Sequence, residues 1–579
     1  MSAPTPLSSA QLHAIKHRGE RAFPEFTWWL YLSMMGTATL VSLAWKIWSW
    51  SERRTRLKSP PSATRTGTVS LTRLPAALLT ATRIVTLRWR IPHISMNVLE
   101  ILLTLLYILL LFSLEFTSTN NLEIDFWANR TGHIVAIQYP LIVILSWKNN
   151  LISICTGISY EKLNLLHRVC SRVILMLVYV HLFGTLYNLG GAGGSQWFYA
   201  KWTYCGPISG FSLTLLIILS VSPIRKRFYE FFVKVHLVLV MMIMIATTIH
   251  VSLAPPGFGF YVWPAWVFWA FDRLCRYMRW FMLNDLVHPR KSSGQIELVT
   301  DDTLLFTIKR HIPFGWSAGQ HAYLTLPTLG KLQSHPFTMA TLPSGDKNDE
   351  LNFIVRVRNG LTKQIKDHLL EFGPCETPMF IDGPYGLPPD ITPFTTCVFI
   401  AGGSGISYTL PRLEELLNQV NAGDAVARRI VFVWVIRTRA HLKWISNRLA
   451  KIVSTAPNGV ELVVNVHVTS GSAHVDELRE SSEGGDVEKE ASVEGEDSKS
   501  KAELEGLSDL IVIRQGRPDV PKVLEAEVAA TAGSMSVDVA GPRSLQQDTR
   551  KALTGSFVGP GSVLRGTPTV QLNVEEFAM

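Results

Sequence analysis

Four histidines constrain this chain more than any other feature. His167 and His181, and again His236 and His250, lie in two apolar segments with the same 14-residue separation. Fourteen residues of α-helix make nearly four turns, so each pair returns close to one helix face. The rise between its members is about 21 Å, enough to set one histidine toward each leaflet of a bilayer. Imidazole in hydrocarbon needs a partner, and for any one of the four a backbone carbonyl would serve. Two pairs at matched spacing, on helices running the same way, point instead to metal. Two haems stacked through the membrane, each held by two histidines, account for all four rings. With both axial positions filled, the iron changes redox state without readily binding oxygen, which suits electron transfer.

The rest of the composition fits a chain that is part membrane and part soluble. Of 579 residues, 47% are hydrophobic, and mean hydropathy is positive. The six cysteines, Cys155, Cys170, Cys205, Cys275, Cys375 and Cys397, show no CxxC or zinc-like spacing and argue against a disulfide framework. Met1 to Glu25 is polar and lacks the apolar core of a cleaved leader; the alternative, the first hydrophobic stretch serving as a signal, meets a stretch long enough to span. Seven spans are expected, near residues 26–49, 96–116, 132–147, 165–187, 208–222, 234–253 and 262–282.

The net charge of +9 is unevenly placed. Between Ser51 and His93 stand Arg53, Arg54, Arg56, Lys58, Arg65, Arg73, Arg83, Arg88 and Arg90, against the single acid Glu52. Arg225, Lys226 and Arg227 follow the fifth span, and Arg273, Arg276 and Arg279 end the seventh. The positive-inside rule then puts these loops, and everything after Leu283, in the cytoplasm. His167 and His236 fall at cytoplasmic depth, and His181 and His250 near the outer face. Arg168 and Arg172 are placed to meet haem propionates, although flanking charge explains Arg168 equally well. Asn129-Arg130-Thr131 is a glycosylation sequon beside the third span.

From Asn284 the pattern turns soluble. The runs Gln295–Val299, Leu304–Lys309 and Asn352–Val357, separated by turn residues, predict a small β-barrel. From Cys397 a buried strand, a glycine turn, a helix (Leu410–Val420) and a second strand (Ile430–Ile436) give a βαβ layout of the nucleotide-binding kind. Ser470 to Glu505, rich in Glu, Ser, Gly and Lys, reads as a disordered acidic insertion. The expected domains are 1–95 (tail, first span, basic loop), 96–283 (haem bundle), 284–390 (flavin barrel) and 391–579 (nucleotide domain).

Within the barrel, Ser334-His335-Pro336-Phe337-Thr338 sets an aromatic ring and a hydroxyl at a strand end, where they can meet a flavin, the alternative being an ordinary proline turn with an aromatic. Arg356, followed by Gly360, Leu361 and Thr362, supplies a cation and helix-opening amides for a pyrophosphate, the alternative being a basic hairpin end. Gly402-Gly403-Ser404-Gly405-Ile406 joins strand to helix, where amides can meet phosphate. Arg437 and Arg439 end the next strand, where a cation can meet the 2′-phosphate of NADPH, with surface solvation as the plain alternative.

Taken together, these motifs resemble the fungal ferric-chelate reductases, relatives of the NADPH oxidases. The resemblance covers roughly residues 96 to 579 and rests on the four histidines, His335-Pro336-Phe337-Thr338, Asp382-Gly383-Pro384-Tyr385-Gly386, the 402–406 turn and Gly516-Arg517-Pro518-Asp519. It implies a multidomain fold: an α-helical transmembrane bundle of about seven spans, a β-barrel FAD-binding domain and an α/β Rossmann-like NADPH-binding domain. The implied cofactors are FAD, NADPH and two b-type haems, and the implied activity is NADPH-dependent reduction of ferric or cupric chelates across the membrane. Phe337 and Thr338 would lie at the flavin, and Phe577 resembles the aromatic that shields it, which makes Thr338 and Phe577 the catalytic candidates. The resemblance implies Cys-Gly-Pro near the nicotinamide, which relatives usually carry. Here Ala540 precedes Gly541 and Pro542, so slower or altered hydride transfer is expected. The implied partners are membrane lipid and an iron or copper uptake transporter, with no nucleic acid. The implied location is the plasma membrane, or else the vacuolar membrane. Competing readings are reduction of oxygen to superoxide and a non-catalytic scaffold or sensor.

Overall fold

The computed structural model describes residues 8–58, 68–90, 96–117, 124–148, 150–191, 200–254, 257–285, 292–313, 315–330, 333–345, 349–470 and 511–575. They fall into two compact units, one built from 8–45 and 100–278, the other from 46–99 and 279–575.

The first unit is helical. Its helices are α1 (Ser9–Lys58, which runs on past the unit), α3 (Val98–Phe116), α4 (Ile124–Leu145), α5 (Leu151–Thr156), α6 (Tyr160–Gly191), α7 (Lys201–Leu219), α8 (Ser222–Arg227), α9 (Tyr229–Leu253) and α10 (Trp263–Leu283). A tenth helix, α2 (Leu74–Arg83), belongs to the second unit. Five helices, α1, α3, α6, α7 and α9, are long and apolar enough to cross a membrane. α4 and α10 stand where the third and seventh spans were expected but lack a sustained apolar window. Arg130 interrupts α4, and Asp272, Arg273, Arg276 and Arg279 interrupt α10. Within the unit, α4 packs on α6 and α7 packs on α9. The sequon Asn129-Arg130-Thr131 lies inside α4 with Arg130 and Thr131 buried, so it is not the loop site that glycosylation needs.

The second unit holds all the strands. In its first half, β1 (Ser293–Thr300), β2 (Thr303–Lys309), β5 (Glu350–Arg356) and β6 (Cys375–Pro378) form one antiparallel sheet in the order β5-β2-β1-β6. β3 (His321–Thr325), β4 (Ser334–Thr338) and β7 (Phe380–Tyr385) form another in the order β4-β3-β7. Among the described residues these are two separate sheets, not one closed barrel. Alternate residues of β2 and β5 (Leu304, Phe306, Ile308; Leu351, Phe353, Val355) point into a shared core, as period-2 patterning requires. Two helices accompany them: the single turn α11 (Pro327–Gly330), and α12 (Leu361–Phe372), which adds Leu361, Ile365 and Leu369, one stripe at i, i+4 and i+8.

In the second half, β8 (Thr396–Gly402), β9 (Arg429–Ile436), β10 (Glu461–Val468), β11 (Ile511–Gln515), β12 (Ser534–Ala540) and β13 (Thr569–Glu575) make a parallel sheet in the order β11-β10-β9-β8-β12-β13. β8 and β12 are buried at every position, which explains their unbroken apolar runs. Helices α13 (Ile406–Asn421) and α14 (Ser446–Ser454) cover one face, and α15 (Val520–Ala530) and α16 (Arg543–Ala552) the other, followed by the short α17 (Pro560–Leu564). The strand order reverses between β8 and β12. The crevice beyond their carboxyl ends is where open α/β sheets bind ligands. Residues 471–510, which hold nearly all of the expected insertion, lie outside the described residues.

The basic segment that set the expected orientation docks on this sheet's amino-terminal edge. Arg53 donates to Asp424 O, Arg56 to Pro393 O and to the Ser534 hydroxyl, and Arg73 to Val563 O and Thr567 O. Arg88 is buried and donates to Leu553 O and Val570 O, both at 2.6 Å. Helix α2 packs on α17. These arginines therefore cap backbone carbonyls.

Candidate functional site

The histidines form two tiers. His181 on α6 and His250 on α9 face each other with ring centroids 6.3 Å apart and planes turned by 70°. Two imidazoles sharing a metal, with bonds of about 2.0–2.1 Å as in zinc sites, would hold their centroids about 6 Å apart. His167 and His236 lie close enough to interact electrostatically. Backbone carbonyls hold three of the rings by Nδ1: His167 on Ile142 O (3.0 Å), His181 on Ala128 O (2.7 Å) and His250 on Trp202 O (2.8 Å). A proton on Nδ1 leaves the Nε2 lone pair for a metal, the usual outer-shell arrangement of ligand histidines. The Nδ1 of His236 is buried without a hydrogen-bond partner among the described residues.

Two glycines make room for the rings. A Cβ at Gly132 would lie 2.8 Å from the His181 ring, and one at Gly206 would lie 2.9 Å from His250. No group of three or more His, Cys, Asp or Glu among the described residues could hold a metal. Each tier would thus offer a metal two imidazole nitrogens, and a porphyrin would have to supply the remaining ligands. The residues fit that group. Between the tiers a hydroxyl bridge links α4, α7 and α9: Tyr139 to Thr247 at 2.9 Å and Ser209 to Thr247 at 2.6 Å, all buried. No motif in the sequence announced it. Arg168 follows His167 and donates to Asn164 O, while Arg172 is exposed.

On the sheet β4-β3-β7, His335 pairs with Leu324, Pro336 with Tyr323, Phe337 with Ala322 and Thr338 with His321. Phe337 packs edge-on to Phe306 at 5.7 Å, and Thr338 is buried. Arg356 ends β5. Gly360, at φ +85°, caps α12, and a Cβ there would meet nothing within 4 Å. Leu361 is buried, and the Thr362 hydroxyl accepts from the Arg358 amide at 2.8 Å.

The glycine turn of the nucleotide domain meets a second turn backbone to backbone. A Cβ at Gly405 would lie 2.2 Å from Ala540 O, one at Gly402 would lie 2.5 Å from Pro542, and Gly541 has φ +145° against Gly402. Gly402, Gly405 and Gly541 therefore serve the close packing of the two turns that follow β8 and β12, at the reversal of strand order. Gly403, at φ +53°, is the outward one. A Cβ there would lie 3.9 Å from the Arg356 guanidinium, and its carbonyl accepts from Trp434 at 3.1 Å. Ser404 and Ile406 complete the passage into α13, and Arg437 and Arg439 follow β9 exposed. Ala540 pairs with Glu575, the last described residue of β13, and Phe577 lies outside the described residues.

Beneath the turn, Arg412 on α13 pairs with Asp538 on β12 at 3.0 Å, with side chains 3% and 1% exposed. Asp538 also accepts from Asn573 and Ser536. A buried charge pair with every oxygen engaged fixes helix to strand here. At the start of the second unit, Arg279 donates to Asp382 of the Asp382–Gly386 motif at 2.7 Å.

Comparison with known proteins agrees with this layout. A model of the ferric reductase like transmembrane component matches residues 131–247, an FAD-binding domain residues 290–389, and a ferric reductase NAD binding domain residues 394–554. The probable ferric reductase transmembrane component of Candida albicans is 28% identical over 454 residues, covering 76% of this chain and 64% of that protein. The chain carries these three ferric reductase-type domains and is similar over most of its length to fungal ferric reductase transmembrane components. Two further relatives are the ferric/cupric reductase transmembrane component 1 of Candida albicans (28%, covering 76% of this chain and 56% of that protein) and component 7 of Saccharomyces cerevisiae (27%, 59% and 55%). The chain thus spans between about half and two thirds of the length of these relatives. The matched transmembrane component covers His167, His181 and His236 and stops just short of His250.

Proposed function

We propose that this chain is a membrane-embedded, NADPH-dependent ferric-chelate reductase. Electrons enter at the nucleotide domain and leave through the histidine bundle to ferric or cupric chelates on the opposite side, in support of iron or copper uptake and beside an uptake transporter. The observation that carries this reading is the facing histidine tiers, their Nδ1 atoms held by carbonyls, in a chain that also bears FAD- and NAD-binding domains. When bound, FAD and two b-type haems supply the conversion of a two-electron donor into one-electron carriage.

The chain's own residues divide the remaining work. His167 and His236 would hold one haem toward the cytoplasm, and His181 and His250 the other toward the outside. Thr338 presents its hydroxyl and Phe337 its ring to the flavin, and Phe577 shields the flavin's open side. Arg356 with Gly360, Leu361 and Thr362 receives its pyrophosphate. The turn Gly402–Ile406 takes the NADPH phosphates, Arg437 the 2′-phosphate, and Gly541 and Pro542 border the nicotinamide. α4 and α10 complete seven crossings. The arginine-rich loops then face the cytoplasm, and the plasma membrane is the setting. The test uses membranes from cells expressing the full chain, given NADPH, with chelate reduction and superoxide measured together. NADPH-dependent chelate reduction is expected. Superoxide without chelate reduction would reassign the acceptor, and no NADPH oxidation with any acceptor would make the chain a non-catalytic scaffold.

A further inference from the structure

The loop that follows β9 is tied to a hairpin of the flavin-side sheets. Arg437 and Arg439 flank Thr438, which caps the 3₁₀ turn Arg439–Trp444. The Thr438 side chain accepts from the His441 backbone, and His441 Nδ1 accepts from the Thr438 amide at 3.4 Å. With Nδ1 an acceptor, the proton of a neutral His441 sits on Nε2. That atom donates to Asp302 Oδ1 at 3.1 Å, 139 residues earlier in the chain. Three residues further on, Trp444 Nε1 donates to Thr300 Oγ1 of the same hairpin at 3.1 Å. The His441 and Trp444 rings lie 4.5 Å apart, so the two bonds act on one packed unit.

Asp302 is the hub of this contact. Its Oδ1 also accepts from the hydroxyls of Thr303 (3.0 Å) and Thr300 (3.3 Å), and its Oδ2 stands 3.6 Å from the Arg356 guanidinium. Burial pushes its carboxyl up, but the bonds from Thr303 and His441 and the charge of Arg356 outweigh it and hold the group below the ordinary carboxylate range. The side chain is therefore ionised at neutral pH. One carboxylate thus gathers a cation from the flavin side and an imidazole from the nucleotide side. The imidazole belongs to the loop that carries Arg437, assigned to the 2′-phosphate, and Arg439.

We propose that Asp302 is a positioning residue for coenzyme choice: by holding His441 it fixes the 437–441 loop so that Arg437 and Arg439 meet the 2′-phosphate of NADPH. The inference rests on the assignment of Arg437 under Proposed function and extends it to Arg439. Asp302 makes no contact with phosphate in this account and acts only through His441.

The test uses the full-length, FAD-loaded protein in detergent, with ferricyanide as acceptor and NADPH or NADH as donor. Asp302→Asn is expected to raise the KM for NADPH roughly five- to tenfold, the scale of one lost hydrogen bond. The kcat should be retained, and the KM for NADH should stay within about twofold, since NADH has no 2′-phosphate to lose. Thr300→Val, which removes the Trp444 bond and the longest of the bonds to Asp302 Oδ1 while leaving His441 in place, should move the NADPH value in the same direction by less. Should Asp302→Asn lose FAD, His441→Gln replaces it, and the ratio of the two KM values decides. Equal changes for both donors, or none, in a protein whose wild type prefers NADPH would overturn the inference. A wild type with no preference for NADPH would overturn the arginine assignment and the inference with it.

Discussion

Gly132 and Gly206 give up side-chain packing so that an imidazole can stand against a helix backbone, since a methyl group at either would sit within 3 Å of a ring. Gly132→Ala is therefore expected to displace the His181 ring and lower the content of one haem while leaving the other, as measured by pigment per purified chain. His181→Ala should remove that haem outright while electron entry from NADPH to the flavin persists. An unchanged low-spin spectrum would count against the ligand assignment. The Arg412–Asp538 pair answers to different physics. Asp538→Ala strands a buried guanidinium and should cost about 3–5 kcal/mol, read as a lower melting temperature of the nucleotide domain in the solubilised protein. Ala540→Cys adds the thiol that the resemblance leads one to expect beside the nicotinamide. It should speed flavin reduction by NADPH in stopped-flow absorbance.

Arg88 shows why a charge run is only partly legible. Its two bonds run to carbonyls 465 and 482 residues away, so the sequence exposes its charge but not its role as a clamp on the sheet edge. Burial and the neighbouring Arg83 pull its guanidinium down to about 10, which still leaves it charged at neutral pH. Arg88→Ala leaves two carbonyls unmet and should destabilise the nucleotide domain by about 2 kcal/mol, seen as a lower midpoint in urea. The same limit runs through the bundle. The 14-residue spacing of the histidines is a local signal and could be read directly. The carbonyls that hold them lie 25, 53 and 48 residues away, and nothing in the sequence marks them. Strands β8 and β9 of the parallel sheet were legible because buried strands are continuously apolar, whereas β10 to β13 were not read as strands. On the flavin side β1, β2 and β5 were legible, but the division into two sheets was not, because alternation fixes a face and leaves the partner strand open. Asp302 and His441 lay beyond reach for the same reason: a single acid and a single histidine in separate turns carry no pattern.

At the scale of the whole chain, one unit carries the donor chemistry and the other the histidine tiers. The account requires the second to pass on what the first receives. Two axial sites about 21 Å apart along the same pair of helices can do so only if each holds a redox metal. The most direct measurement is a redox titration of the purified full-length protein, followed by visible spectroscopy with haem quantified per chain. The account predicts two low-spin b-type haems per chain, both reducible by NADPH in the presence of FAD. A preparation that binds FAD yet contains no haem would contradict it.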